Sequence, residues 1–326
     1  MAVDHARRGA LVTLASALAV GVAPAGAQTQ AFPTKPITLI VPFAAGSATD
    51  TGARLFARAM EQELGQPVIV DNKAGGSGTV AADYVARAPA DGYTLMFLGG
   101  GSLTQTFFSR KLNTDIVRDL APVIQISRGS LFLFVRSDLP VNNVRDFIEL
   151  VRKEPGKYNY ASIAASQMMT MEVLKDRAKL QIAHIPYKSL GQVFQAIEAK
   201  DVVAYVGGVS GSEAMLQSGK VRLIVVFGDE RNLIYPDVPT AAESGLPGVE
   251  APYSQGIWAP AKTPAPVIAR LNSALNAVLK HPQIVEFVRV SGATLTGGPP
   301  QRQLESVKFE HEYWARAAKV SNFTPE

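Results

Sequence analysis

A loop of small residues supplies the first groups in this sequence that could bind a ligand. The loop follows the apolar run "ITLIVPF" and precedes an amphipathic pattern, "TGARLFARAMEQEL". The first N–H groups of a helix lack partners within it, and the helix dipole favours negative charge there. The sequence therefore predicts an anion seat, most simply for a carboxylate. Its residues are Phe43, Ala44, Ala45, Gly46, Ser47, Ala48, Thr49 and Asp50.

Asp50 is the exception within this loop, because its carboxylate competes with an anionic ligand. It fits a helix cap, or a partner for a ligand hydroxyl, an ammonium group or a bridging water. The hydroxyls of Ser47 and Thr49 supply two further donors. An ordinary tight turn capped by Thr49 or Asp50 is the alternative interpretation of the whole motif.

A second small-residue loop, "NKAGGSGTVAA", has the form of a dinucleotide-binding fingerprint, with Gly76, Gly78 and Ala81 at the required spacing. Asp91, however, precedes the next strand instead of ending it, where a ribose-binding acid belongs. We therefore expect a pocket wall lined by backbone, ahead of a plain turn and ahead of NAD binding.

Residues for catalysis or metal binding are sparse. No pair of the four histidines has metal-ligand spacing, there is no cysteine, and the nucleophile-elbow and P-loop motifs are absent. Lys188 follows an apolar strand and fits either a ligand contact or a solvated side chain. Met168, Met169 and Met171 fit core packing or pocket lining. We expect no enzyme activity, no cofactor and no metal.

Composition restricts the class of protein further. The 326 residues suggest about two domains, and the net charge of +4 comes from scattered basic residues, which argues against nucleic-acid binding. Arg7 and Arg8 precede a short apolar run that ends in an A-x-A pattern at residues 25–27. Residues 1–27 are therefore expected to be a secretory signal peptide, with a retained N-terminal anchor as the alternative.

Alternating strands and helices must position these loops. "PVIV" and "YTLMFL" continue the first unit, and the pattern restarts with "LFLFV", "YNYAS", "IAHIP", "VVAYV" and "VRLIVVF". Fully apolar strands between helices indicate a parallel sheet covered on both faces. The final helices lack a sheet of their own and should pack on the first unit. We expect an α/β fold with two lobes: 28–127 with 251–326, and 128–250.

The segments "FPTKPITLIVPFAAGSATD", "LGQPVIVDNKAGGSGTVAADYVARAPADGYTL", "IPYKS", "YPDVPTAAESGLPG" and "WAPAKTPAPVIARLNSALNAVL" resemble the substrate-binding receptors of tripartite tricarboxylate transporters, the Bug proteins. The resemblance runs in order over essentially the whole chain after residue 27. It implies a type II periplasmic binding fold whose interlobe cleft holds a small carboxylate through main-chain N–H groups and ordered water.

The resemblance also implies which residues line the cleft. In the first lobe they are the loop from Phe43 to Asp50, then Gly75, Gly76, Ser77, Gly78 and Thr79, then Gly99, Gly100, Gly101 and Ser102. In the second lobe they are Ser162, Ala164, Ala165, Ser166, Gln167, Tyr187, Lys188 and Gly207.

This sequence departs from the family pattern in the second lobe. Alanines replace glycines in "YASIAASQMMT", Met169 stands where a histidine is common, and Val203 and Gly207 stand where acids are common. These changes suggest a bulkier, more apolar wall with no partner for an ammonium group. We therefore expect a ligand without an amine and with a hydrophobic body, such as an aromatic carboxylate.

The resemblance implies a periplasmic receptor that delivers its ligand to integral-membrane transporter subunits, and we expect the receptor to be a monomer. Presentation of the ligand to a sensor protein is the alternative that keeps the same cleft. A Rossmann-like NAD-dependent enzyme, or a hydrolase, is the alternative from another class.

Overall fold

A six-stranded sheet carries the first of the two predicted lobes. The structure, a computed structural model, describes residues 32–75, 78–99 and 114–322. Within them, the strands of this sheet lie in the order β11-β4-β10-β3-β1-β2. Their bounds are β1 Ile37–Val41, β2 Val68–Asn72, β3 Thr94–Gly99, β4 Leu120–Ser130, β10 Pro252–Pro260 and β11 Thr294–Leu295.

The second sheet has five strands in the order β7-β6-β8-β5-β9 within the described ranges. They are β5 Phe132–Arg136, β6 Asn159–Ser162, β7 Ala183–Pro186, β8 Ala204–Gly207 and β9 Val221–Val226. All eleven strands of the described residues belong to one compact unit that begins at Phe32. The two-lobed α/β architecture is that of the periplasmic binding proteins.

Helices cover both faces of each sheet, as the fully apolar strands predict. The helices of the described residues are α1 Ala48–Leu64, α2 Thr79–Ala86, α3 Ile116–Asp119, α4 Val144–Lys153, α5 Ala165–Ala178, α6 Leu190–Glu198, α7 Glu213–Gln217, α8 Ala265–Val278, α9 Pro282–Val290 and α10 Pro300–Val320. On the first sheet, α1, α8 and α9 share one apolar cluster, and α2 packs on the other face.

Helix α1 shows how the local sequence sets its own bounds. Ser47 caps the N-terminus, because its Oγ accepts the Asp50 N–H at 3.2 Å. Gly65 ends the helix in the left-handed conformation, at φ 69°, which glycine adopts without a Cβ penalty. Phe56 and Met60, one turn apart, are completely buried against the sheet. The apolar stripe therefore fixes which face of α1 meets the core, while its N-terminus stays at the strand end.

The last helix, α10, joins the two lobes instead of packing on the first alone. Val307 lies in a cluster with Trp258 of the first sheet. Tyr313, Trp314 and Ala317 lie in the main cluster of the second sheet. The expectation that the final helices pack only on the first unit holds for α8 and α9 and is wrong for the second half of α10.

The chain crosses from the first sheet to the second between β4 and β5, and we call this link the crossing. The expectation of parallel sheets is wrong for the strands beside it. β10 is antiparallel to both β3 and β4, and β5 is antiparallel to both β8 and β9. The chain leaves the first sheet along β4 and returns along β10, so one of these strands must run against the other. β4 itself was not predicted, because Pro122, Arg128 and Gly129 interrupt its apolar pattern.

No helix in the described ranges has the length and apolar character to span a bilayer.

Candidate functional site

Parallel pairing gathers the predicted residues of the first lobe at one edge. β1 pairs in parallel with both β2 and β3. The loops after these three strands therefore leave the sheet on the same side. They carry the predicted groups at 43–50, 75–79 and 99, while Gly76, Ser77, Gly100, Gly101 and Ser102 lie outside the described residues.

The second sheet repeats this arrangement. β6 pairs in parallel with both β7 and β8. Its carboxyl edge therefore carries Ser162 and the start of α5, the Tyr187/Lys188 turn, and Gly207. Carboxyl edges of this kind are where open α/β sheets bind ligands.

Strand register places the two edges beside the same crossing. Gln255 of β10 lies opposite both Gly99 of β3 and Ser127 of β4, so the carboxyl end of β3 is level with the last residues of β4. One residue beyond β4, β5 begins at Phe132, which pairs with Gly207. Both predicted walls therefore adjoin the short segment that links the sheets.

Asp50 braces the first loop from within. It is 3% exposed, and its Oδ2 accepts the Gly46 N–H at 2.9 Å and the Arg54 Nε–H at 3.0 Å. Asn72 at the end of β2 donates to Asp50 Oδ1 and to the Phe43 carbonyl, both at 2.9 Å. The Arg54 hydrogen bond, followed by those from Gly46 and Asn72, lowers the pKa of Asp50 to about 2. Its carboxylate is thus ionised and engaged by its own loop.

The Asp50 carboxylate is engaged by Gly46, Arg54 and Asn72, so it does not occupy the helix end where an anion would bind. Gly46 has φ +83° and nothing within 4 Å of the position of a Cβ. Within the described structure, the N–H group of Thr49 has no acceptor, whereas Ser47 N donates to Ala44 O and Asp50 N donates to Ser47 Oγ. The Thr49 N–H group stands at the positive end of the helix dipole.

The other two loops of this lobe need glycine for reasons of backbone geometry. Gly75 and Gly78 have φ of +138° and +103°, and Gly78 N donates to Gly75 O at 3.0 Å before α2 begins. A Cβ on Gly99 would lie 2.7 Å from Gln255 Cα, so the close approach of β10 explains this glycine without a ligand.

Asp91 argues against a dinucleotide site. It lies before β3 begins, and it contacts Lys35 Nζ at 3.2 Å and the Tyr93 N–H at 3.1 Å. These contacts are at the amino end of the strand, opposite the edge that carries the Gly75–Gly78 loop. A ribose bound at that loop is out of reach of this carboxylate.

The second lobe presents another helix N-terminus. Ala164 is the N-cap of α5 without a side-chain capping bond. Gln167 Oε1 accepts the Ile163 N–H at 2.8 Å, and Met168 N donates to Ala164 O. Among the described residues, the N–H groups of Ala165 and Ser166 have no acceptor. The two lobes thus each contribute unpartnered N–H groups at a helix start.

Ser162 is held by a residue that the sequence did not single out. It is 3% exposed, and its Oγ lies 2.8 Å from Nε2 of His184 on the neighbouring strand. Burial lowers the pKa of His184, so the ring is neutral at ordinary pH. The pairing of Tyr160 with His184 in the β6–β7 ladder could not be read from the sequence.

The turn after β7 contributes mainly backbone contacts. Tyr187 N donates to Ser162 O at 2.9 Å, and Lys188 N donates to Gln192 Oε1 at 3.0 Å. The Lys188 side chain is exposed. This geometry favours the solvated interpretation of Lys188 and leaves its ammonium group without a fixed position in the cleft.

Met169 and Val203, which suggested an apolar cleft wall, lie outside the cleft. Met169 and Met171 are completely buried in the core of the second lobe, and Met168 packs against that core. Val203 lies before the first residue of β8, at the end of the strand opposite to Gly207. The bulkier wall inferred from Met169 and Val203 is therefore wrong, because both side chains fill the core.

A cavity of about 510 Å³ lies away from these loops. Residues of β4, β11 and α10 line it, together with the segment that follows β9. In both sheets these strands stand at the end opposite to β1, β2, β6 and β7. Charges of both signs line it, including the Arg128–Asp229 ion pair at 2.7 Å. The described part of the chain holds no cluster of three or more side chains suited to a metal.

Comparison with known proteins identifies related sequences. The family model described as "Tripartite tricarboxylate transporter family receptor" matches residues 53–319. Protein BugT of Bordetella pertussis is 30% identical over 297 residues, which is 90% of this chain and 90% of that protein.

Solved structures agree with this relationship. "R. palustris Rpa4515 with adipate" is 32% identical with a TM-score of 0.73, over 90% of this chain and 100% of that one. "MatC (Rpa3494) from Rhodopseudomonas palustris with bound malate" is 30% identical with a TM-score of 0.67, over 89% and 100%.

Proposed function

Since the chain belongs to the tripartite tricarboxylate transporter receptor family, we propose that it captures a small carboxylate between its lobes and delivers it to the membrane subunits of such a transporter. The observation that carries the proposal is the pair of helix N-termini with unpartnered N–H groups, at Thr49 and at Ala165–Ser166, on edges that adjoin one crossing. The helix dipole favours a negatively charged ligand at each, and a single carboxylate ligand that contacts both favours the closed arrangement of the lobes.

The proposed lobes are residues 28–127 with 251–326, and 128–250, in a monomer that acts in the periplasm after removal of residues 1–27. Sheet membership supports this division, because β1–β4, β10 and β11 form one sheet and β5–β9 the other, with β4 continuing past residue 127 to Ser130. Size-exclusion chromatography with light scattering tests the monomer, and sequencing the N-terminus of the exported protein tests the cleavage site.

The ligand is proposed to lack an amine. Asp50 is the carboxylate nearest to the first helix start, and its oxygens are already engaged by Gly46, Arg54 and Asn72. An ammonium group at this position would have to displace one of these donors. The aromatic body has no support beyond the sequence pattern, because Met169 and Val203 are core residues. The related structures with adipate and malate support an aliphatic dicarboxylate instead.

A thermal-shift screen followed by calorimetric titration tests the proposal. The panel is adipate, malate, citrate, benzoate and glutamate. A ligand at a hundred times its Kd stabilises the native state by about 2.7 kcal/mol, which is readily detected. We expect at least one amine-free carboxylate to bind and glutamate to bind at least tenfold more weakly. Absence of binding across the panel would contradict the proposed function. Preference for glutamate would contradict the proposal that the ligand lacks an amine.

A further inference from the structure

We propose that the phenolic hydroxyl of Tyr205 donates a hydrogen bond to the carboxylate ligand and is a specificity residue of the second lobe. The inference rests on the proposed function, because it adds a residue to the same cleft. Sequence patterns gave no sign of it, since Tyr205 lies inside the apolar strand "VVAYV".

The Tyr205 side chain reaches the carboxyl edge of the second sheet from the face that α6 covers. Its ring belongs to the apolar cluster on the face covered by α6, where it packs against Phe134 with ring centroids 5.4 Å apart. Helix α5 covers the opposite face. Yet Gln167, in the first turn of α5, contacts the Tyr205 hydroxyl at 3.2 Å. Groups from opposite faces can meet only around the edge of the sheet, so the hydroxyl lies at the start of α5.

Gly207 makes room for this position. A Cβ at Gly207 would lie 2.1 Å from the Tyr205 hydroxyl oxygen and 2.2 Å from Cζ. The ring therefore lies along the strand, over Gly207, with its hydroxyl directed toward the carboxyl end. At Gly208, one residue further, nothing lies within 4 Å of the position of a Cβ. Tyr205 is 2% exposed, and the backbone next to its hydroxyl, at Gly208, is uncrowded.

The hydrogen-bond donors and acceptors leave one proton unused. Gln167 Oε1 accepts the Ile163 N–H, which fixes the orientation of the amide, so its Nε2 must donate to Tyr205. The Tyr205 oxygen is thereby an acceptor, and its own proton has no acceptor among the described residues. Burial raises the pKa of Tyr205 to about 12, so the hydroxyl keeps that proton. A buried donor of this kind has a strong preference for a negatively charged acceptor.

The position also suits the ligand chemistry. The unpartnered N–H groups of Ala165 and Ser166 follow Ala164 at the same helix start that Gln167 belongs to. A carboxylate oxygen there would receive backbone donors from α5 and the phenolic donor from β8. The arrangement selects an acceptor and gives no partner to an ammonium or a hydroxyl donor.

Replacing Tyr205 by phenylalanine tests the inference, because it removes the hydroxyl and keeps the ring. Calorimetry would compare the wild type and Tyr205→Phe with adipate and with malate, the two probes, at pH 7. We expect roughly 10- to 100-fold weaker binding of whichever probe the wild type binds, as for loss of a hydrogen bond to a charged group. The matched control is Tyr235→Phe, whose ring packs against the same cluster and whose affinity should stay unchanged.

The outcomes separate this inference from the proposed function. If the wild type binds a probe and Tyr205→Phe binds it equally well, the inference is wrong and the proposed function stands. If the wild type binds neither probe nor any other carboxylate of the panel, both fall. If Tyr235→Phe weakens binding as much as Tyr205→Phe, the effect comes from the apolar cluster and the hydroxyl has no direct role. Unfolding temperatures of the two variants check that each is folded.

Discussion

A buried acid at the junction of the lobes should make stability depend on pH. Glu310 of α10 is 1% exposed, and its Oε2 has no hydrogen-bond partner. Burial raises the pKa of Glu310 from its ordinary value of 4.5 to about 8, against the opposing effects of hydrogen bonding with Ser254 and the charge of Arg128. The folded protein therefore binds this proton more tightly than the unfolded chain does.

The sign and size of the effect follow from this difference. The stabilising contribution of protonated Glu310 is complete below about pH 4.5, and it is lost as the pH rises toward about 8. Each pH unit within that window corresponds to about 1.4 kcal/mol. Between pH 5 and pH 7 the free energy of unfolding should therefore fall by roughly 2 to 3 kcal/mol through this group alone. Glu310→Gln removes the titration, so its stability should exceed that of the wild type increasingly from pH 5 to pH 8.

Urea unfolding at pH 5, 6, 7 and 8, followed by tryptophan fluorescence, measures this difference. The chain has two tryptophans, Trp258 and Trp314, and both are buried. Glu312→Gln, which removes an exposed carboxylate of the same helix, is the control and should track the wild type. Parallel pH profiles for the wild type and Glu310→Gln would refute the reasoning.

Three further predictions concern the first loop, the second edge and the core. Asp50→Ala should weaken ligand binding at least tenfold in calorimetry, because Gly46 and Asn72 lose their shared acceptor; unchanged affinity would mean that the loop does not form the seat. Gly207→Ala should weaken binding by displacing the Tyr205 hydroxyl, and equal affinity for the wild type and variant would contradict that position. Phe56→Ala should lower the free energy of unfolding by about 3 to 5 kcal/mol in urea, and a loss below about 1 kcal/mol would contradict its place in the core.

The parts of the fold that the sequence predicted are those set by local patterns. The unit from β1 to α1 combines an apolar strand, a capping serine and a terminal glycine, and each signal acts within a few residues. Strand direction is not a local property, so the sequence could not predict that β10 runs antiparallel to its neighbours. β4 was missed because Pro122, Arg128 and Gly129 interrupt its apolar pattern.

The loops of the candidate site could be predicted from the sequence, whereas the residues that hold those loops in place could not. Position after a strand indicated the loop that ends at Asp50, and the family resemblance indicated Ser162–Gln167. The role of Asp50 depends on Asn72, which is 22 residues away. The environment of Ser162 depends on His184, and that of Gln167 on Tyr205, and each of these pairs forms only when separate strands meet. Met169 shows the opposite error: its position where the family commonly has a histidine suggested the cleft, and its side chain fills the core.

A crystal structure of the protein with a bound carboxylate from the panel tests the central claim most directly. We predict a carboxylate oxygen about 2.7–3.2 Å from the N–H groups of Ala48 or Thr49, and a second contact from the N–H groups of Ala165 or Ser166 on the other lobe. Density for the ligand in the cavity beside Arg128, or contacts to one lobe alone, would contradict the account.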